Sequence, residues 1–496
     1  MLKFGLPTVM DSDNPVPDMI VGYISVEGKE TVFGAKRKKL HATSKAYHAS
    51  KKDLDSVRRD LEKSGFEILA ESALGISVYA APEQYEDLTG GKIQPKEKLM
   101  HTTNAVREYI TVLDIVGPNQ PDSLGVGKVK SKSLPVDGVV LEPPRQCHAI
   151  FPSPIPLNSS KFHMRLPNDV ATALGALPAH QQGITGDGVS VVMPDSGWYR
   201  HPYFTANGYR VKKPLVAIPG TNPAKDPIGH GTGESANIFA VAPGAVLQPV
   251  RATNTAGKFV GIFAAFLKGK ALKPRIMTNS WGGDGEYPPL ADPDQADLAF
   301  MAEVQDAIEN DTVVVFSAGN GQFSIEPQIP GVLSAGGVFI DDNGQMRASD
   351  YASGYKSPWF DDVVVPIVCG LVGMQPRAQY LMLPVQPGCE LDQSESIFDD
   401  GEIGDGTTNS DGWALFSGTS AAAPQVAGAA ALILSAKPGL KPAQVIEALS
   451  KTAVDVVVGR SFPQRYNEPA GVGFDNATGF GLINAAAAVK YAKDNF

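Results

Sequence analysis

The stretch Gly418-Thr419-Ser420-Ala421-Ala422-Ala423-Pro424-Gln425-Val426-Ala427-Gly428, continued by Ala429, Ala430 and Ala431, constrains the fold more than any other. Side chains this small build a helix that can be buried with neighbours close on several sides. Proline breaks a helix interior but is tolerated in the first turn. Pro424 therefore predicts a helix that starts near Ser420, with that hydroxyl at the positive end of the dipole. Two readings follow: an N-cap serine on a core helix, or a nucleophile facing a developing oxyanion.

Two further stretches decide between them. Gly188-Val189-Ser190-Val191-Val192-Met193-Pro194-Asp195-Ser196-Gly197 reads as a buried strand ending in Asp195. Gly229-His230-Gly231-Thr232-Gly233 reads as a glycine-flanked loop opening a helix that carries His230. Serine acyl chemistry needs a base, a group that orients the base, and donors for the oxyanion. Histidine titrates near neutral pH and suits the base. Asp195, His230 and Ser420 are far apart along the chain, and a doubly wound sheet unites such residues at the carboxyl ends of its strands. The order Asp, His, Ser is one of three unrelated orders in which this triad occurs. The Asp-Ser-Gly, His-Gly-Thr and Gly-Thr-Ser-Ala-Ala-Ala-Pro motifs, in this order, resemble those of the subtilisin-like serine proteases, the subtilase family. The resemblance covers about 165 to 493. It implies an α/β fold with a doubly wound, mostly parallel sheet, and a serine endopeptidase. In it Ser420 attacks, His230 serves as base and then acid, and Asp195 holds the imidazole tautomer.

Ser317-Ala318-Gly319-Asn320-Gly321 closes another predicted strand, over 312–316. An asparagine in a strand-end turn is common in itself. In register with the triad it is similar to the family's Ala-Gly-Asn motif, so Asn320 and the backbone N–H of Ser420 are the expected oxyanion donors. Asn279-Ser280-Trp281-Gly282-Gly283 resembles the strand on which subtilases pair the substrate backbone. Ser280, Trp281, Gly282, Ala318 and Gly319 are the expected substrate-binding residues, and a core position for Trp281 stays open.

Composition narrows the class. With 496 residues, 43% of them hydrophobic, the chain can bury a large core. No run of about 18 apolar residues predicts a membrane span. The first residues lack the apolar core of a signal peptide, so the expectation is a cytoplasmic protein, with export by another route open. Cys369 and Cys389 can pair or remain free thiols. Residues 1–150 carry 20 basic and 20 acidic side chains, so the net charge of −10 falls on the remainder. An acidic body argues against a nucleic-acid partner, and Lys36-Arg37-Lys38-Lys39 reads as a solvated loop. There is no His-Glu-x-x-His or Cys-x-x-Cys, so a catalytic metal and a required cofactor are not expected. His201 reads as a loop residue.

Pro7, Pro15 and Pro17 mark 1–17 as a flexible lead-in. Over 18–103 the pattern strand, helix, strand, strand, helix, strand is the split βαβ, ferredoxin-like arrangement. In front of a subtilase it looks like the family's propeptide, which chaperones folding and inhibits the active site. Ser72 to Ala80, followed by Pro82-Glu83-Gln84, is similar to its central hairpin and second helix. The Pro-rich 104–164 reads as a linker or extended wrap, and 165–496 as the catalytic domain.

The sequence departs from the family in two places. About 375–414 is an insertion holding Asp399, Asp400, Glu402, Asp405 and Asp411. It reads as a mobile solvated segment or as a loop for a structural calcium ion. Gln425 stands where the family has histidine after the proline, and is expected to matter little. Two alternatives to hydrolysis stay open: a peptide ligase or macrocyclase using the same acyl-enzyme, and a non-catalytic binding protein on the subtilase fold. The sedolisin family is excluded, because it replaces the histidine and the asparagine with acids.

Overall fold

Strands buried on both faces need helices on both sides of the sheet, and from Ser190 onward the chain supplies them alternately. The computed structural model describes residues 8–33, 43–101, 107–121, 123–131, 133–147, 163–341, 343–374, 380–396 and 409–496. Five parallel strands form the centre: β1 (Ser190–Asp195), β2 (Val246–Arg251), β3 (Ile276–Asn279), β4 (Val313–Ser317) and β5 (Leu333–Ile340), in the order β2-β1-β3-β4-β5. A sixth, β6 (Val368–Leu371), runs parallel beside β5. The chain leaves β1 to one side for β2 and then crosses to the other for β3. Such a reversal opens a crevice beyond the carboxyl ends of the strands, and Asp195 sits there.

Alternate side chains serve opposite faces. Val191 and Met193 join the core under α1 (His230–Val241) and α4 (Thr419–Ala436). Val192, Met277 and Val314 join the core under α2 (Ile262–Ala271) and α3 (Gln295–Glu309). By length and composition α4 could cross a membrane, but 89% of it is buried inside the molecule. It begins at Thr419, as the sequence predicts, yet Pro424 falls inside the helix rather than in its first turn. A proline has no N–H for the carbonyl four residues back. That carbonyl belongs to Ser420, and the Ser280 hydroxyl donates to it instead at 2.9 Å.

The N-terminal unit keeps the expected helix and hairpin but draws its fourth strand from elsewhere. Glu67–Glu71, Gly75–Ala80 and Ile20–Val26 lie side by side, and the next place is filled by Val136–Leu141, antiparallel to Ile20–Val26. Lys92–His101, expected there, instead forms a long hairpin with Arg107–Val116. Val9–Asp11 adds a third strand to that hairpin. The lead-in over 1–17 and the linker over 104–164 are thus partly strand, and the expected boundary at 103 falls inside a hairpin. The basic run at 36–39 lies outside the described residues.

This unit shares a hydrophobic core with α2 and α3. Val21, Tyr23, Leu69, Leu74 and Val140 pack with Phe263, Phe266 and Phe300, and the Tyr23 ring stacks on Phe263 at 4.5 Å. The Tyr23 hydroxyl donates to Glu303 at 2.7 Å, and Glu309 accepts the Ser44 N–H at 2.7 Å. Glu142 accepts the N–H of Phe263 at 2.7 Å, in the first turn of α2. Burial pushes its carboxyl up to about 7. A carboxyl raised in this way stabilises the packed state while protonated, and that contribution is lost as the pH rises through about 7. The rise from 4.5 to about 7 is worth about 3 kcal/mol. The melting temperature should therefore fall as the pH rises from about 4.5 to about 7, and fall less in Glu142→Gln. Identical pH dependence in both proteins would refute this role for Glu142.

Candidate active site

The carboxyl ends of β1, β3 and β4 and the first turns of α1 and α4 converge on one edge of the sheet. His230 Nδ1 and Asp195 Oδ1 lie 2.8 Å apart, with both side chains 1% exposed. A carboxylate at Nδ1 holds the proton there and leaves Nε2 as the basic atom. Close approach makes this contact possible: a Cβ on Gly231 would lie 2.3 Å from the Gly197 carbonyl oxygen.

Asp226 ties the two turns together, and nothing local marks it beyond a turn-like Lys225-Asp226-Pro227. Its Oδ1 accepts from the Ser196 hydroxyl at 2.7 Å and the Gly229 N–H at 3.0 Å. Its Oδ2 accepts from the Thr232 N–H at 2.8 Å and the Thr232 hydroxyl at 2.7 Å. Four donors satisfy this buried carboxylate, and together they fix the Asp195 turn against the His230 turn.

Ser420 is fully buried at the start of α4. Its hydroxyl donates to the Ser280 carbonyl at 3.0 Å, the reverse of the bond from Ser280 to the Ser420 carbonyl. The Ser420 proton thus points at Ser280 here, and transfer to an imidazole needs the hydroxyl to turn.

Asn320 Oδ1 accepts both the N–H and the hydroxyl of Thr419, each at 3.0 Å. These two donors fix which way the amide faces. Nδ2 is left buried with no hydrogen-bond partner among the described residues. Burying an unpaired donor costs about 1–3 kcal/mol, and an arriving anion would recover it. The Gly319 N–H donates to the Thr419 hydroxyl at 3.1 Å with φ +105°, a left-handed conformation that favours glycine. The Ala318 N–H is used within the sheet, on Ala335 at 2.9 Å.

Trp281 is a core residue: its ring is fully buried against Phe300 and Phe316, and its Nε1 donates to the Pro194 carbonyl at 2.9 Å. It offers no side chain to a cleft, and only its backbone serves the strand Trp281–Gly282. That strand is already paired, antiparallel, with Gln146–Cys147. His201 caps the helix Pro202–Ala206, with Nδ1 accepting the Tyr203 N–H at 3.1 Å.

The described part of the insertion is packed rather than solvated. Tyr380–Pro384 and Trp413–Phe416 pair antiparallel, and Leu381, Leu383, Cys389 and Leu391 enter the main core. Gln386 accepts the Asp226 N–H at 3.0 Å, so the insertion buttresses the His230 turn. Asp399, Asp400, Glu402 and Asp405 lie outside the described residues. No cluster of three metal-binding side chains occurs among the described residues. Cys369 and Cys389 are free thiols.

The model of the family described as "Subtilase family" matches residues 186–481. The chain belongs to the subtilase family. Asp195, His230, Asn320 and Ser420 all fall inside the matched span. Fervidolysin from Fervidobacterium pennivorans is 27% identical over 410 residues, covering 73% of this chain and 51% of that protein. Subtilisin Savinase from Lederbergia lenta is 25% identical over 334 residues, covering 63% of this chain and 94% of that protein. A probable subtilase-type serine protease from Deinococcus radiodurans is 28% identical over 351 residues, with 62% of this chain covering 41% of its length. The crystal structure of fervidolysin has a TM-score of 0.55 at 19% identity, covering 95% of this chain and 61% of that one. This likeness bears on the fold. The chain thus spans about half or less of the length of two of these relatives.

In a subtilase with this geometry, Asn320→Ala should lower kcat for peptide hydrolysis about 10²–10³-fold with KM little changed, the loss known for subtilisin's own oxyanion asparagine. An unchanged kcat would remove Nδ2 from the oxyanion site.

Proposed function

We propose that the protein is a serine endopeptidase held in check by its own N-terminal unit. The observation that carries this reading is the buried Asp195–His230 contact of 2.8 Å at the sheet edge that Ser420 shares. Ser420 Oγ attacks the scissile carbonyl as His230 Nε2 takes its proton, and Asp195 stabilises the imidazolium. Charge on the tetrahedral oxygen is met by Asn320 Nδ2 and the Ser420 N–H at the α4 N-terminus. The imidazolium then protonates the leaving amine, and a water molecule repeats the sequence on the acyl-enzyme.

The inhibitory half of the reading rests on Gln146–Cys147. These residues lie antiparallel on Trp281–Gly282, where a polypeptide substrate would add its own strand. Occupation of that edge excludes substrate until the covering segment leaves.

Intact mass of freshly made protein, followed with time, tests both halves. The wild-type chain should divide shortly after Cys147, and Ser420→Ala should stay whole and take no fluorophosphonate label. Cleavage or labelling that survives Ser420→Ala would sink the assignment.

A further inference from the structure

Beside the His230 ring lies a carboxyl group that neither the triad nor the oxyanion site uses. Glu234 is one turn along α1 and fully buried, and its Oε1 sits 3.8 Å from His230 Nε2. This is the nitrogen that must exchange protons with Ser420, opposite the one held by Asp195. Glu234 Oε1 has no hydrogen-bond partner among the described residues.

The group is held in place by a chain of buried amides. Asn237 Nδ2 donates to Glu234 Oε2 at 2.9 Å, and Gln425 Nε2 donates to Asn237 Oδ1 at 3.2 Å. Gln425 in turn grips the backbone of Leu371, accepting its N–H at 2.7 Å and donating to its carbonyl at 3.0 Å. Gln425, the departure expected to matter little, is thus the last link of a relay from β6 to the imidazole.

We propose that Glu234 is a positioning residue that acts on His230 from the nucleophile side, so that the base is flanked by two carboxyl groups. This rests on the serine protease reading given above. Burial pushes Glu234 up to about 8, with the Asp195 charge adding to the rise and His230 opposing it. Few other ionisable groups face it. Among the described residues α4 carries no charged side chain, and Asp226 is committed to its four donors. The strand Tyr380–Pro384 contributes Tyr380, and the helix Asn168–Ala173 contributes Asp169, which pairs with Arg165 at the surface. His180 meets the Val241 carbonyl at the far end of α1.

Two groups this close lose their protons in two shared steps. In the first, the pair passes to a single proton and His230 Nε2 becomes available as base. In the second, near pH 8, Glu234 ionises. A carboxylate beside Nε2 then stabilises the imidazolium formed when Ser420 gives up its proton, so acyl transfer accelerates.

The test follows the ring resonances of His230 against pH in the full-length Ser420→Ala chain, with Glu234 intact and with Glu234→Gln. Glutamine can still accept from Asn237, and Glu234→Asp, which keeps the ionisable group, controls for packing. The ring should report two steps with Glu or Asp, and with Gln the second step should be lost. A single step at one common midpoint in all three proteins would overturn the proposal without touching the protease reading. Fluorophosphonate labelling of the chain with Ser420 intact reads that second question separately. Its rate should rise across the second step in the wild type and stay level in Glu234→Gln. Labelling in neither chain would remove the protease reading while leaving the ring titration to decide on Glu234.

Discussion

The site exists because α4 can run through the middle of the molecule. A helix with ordinary side chains keeps its neighbours 8–10 Å away, axis to axis. Here Gly428 faces Val241 and Ile238 of α1 so closely that a Cβ would lie 2.8 Å from Val241 Cβ. On the other side, a Cβ on Gly370 of β6 would lie 2.8 Å from Ala422 Cα. Small residues therefore let one helix touch α1 and the sheet together. The first turn of α4 then meets the strand-end segments that follow β3 and β4. The serine is delivered by packing and the anion-friendly helix start comes with it, so the two cannot be separated by evolution or by design.

Proline inside that helix turns a defect into a joint. Position 424 breaks one helical hydrogen bond, and the vacancy falls on the carbonyl of Ser420. Ser280 fills it and receives the Ser420 hydroxyl in return. The residue leading into the strand Trp281–Gly282 is thus fastened to the candidate nucleophile by two bonds. Any shift of that strand on binding a peptide is felt at the Ser420 hydroxyl, which must turn before it can react. Asp226 plays the matching part on the other side, since its four bonds couple the Asp195 turn to the His230 turn.

Much of this was legible from local motifs. Asp195, His230, Asn320 and Ser420 each lie in short glycine-bearing turns whose residue types follow from one backbone requirement, and the parallel sheet follows from strand and helix alternation. What escaped depends on contacts between residues distant in sequence. Val136–Leu141 takes the fourth place in the N-terminal sheet because the hairpin of Lys92–His101 and Arg107–Val116 leaves that place empty, and no periodicity distinguishes the two candidates. Trp281 turned inward because the strand start it occupies backs onto Phe300 and Phe316. Glu234 was in plain view inside the His-Gly-Thr stretch. Its meaning required Gln425, 188 residues from Asn237, to be seen at its end.

If the N-terminal unit inhibits as proposed, the way the two units are joined separates cutting from release. Tyr23, Leu69 and Val140 share one apolar core with Phe263 and Phe300, and burial of this kind is worth about 25 cal/mol per Å². Breaking the chain after Cys147 removes none of that contact. It changes only the entropy of connection, which varies slowly with chain length. The cleaved N-terminal unit should therefore remain in place as a tightly held partner, its strand still on Trp281–Gly282. Freedom of the site then depends on what weakens the interface itself. Acids such as Glu142, packed against the start of α2 and protonated only up to about pH 7, place that weakness in the neutral to alkaline range. The same range ionises Glu234 beside the imidazole, so release of the cover and activation of the base would be favoured by one change in proton activity.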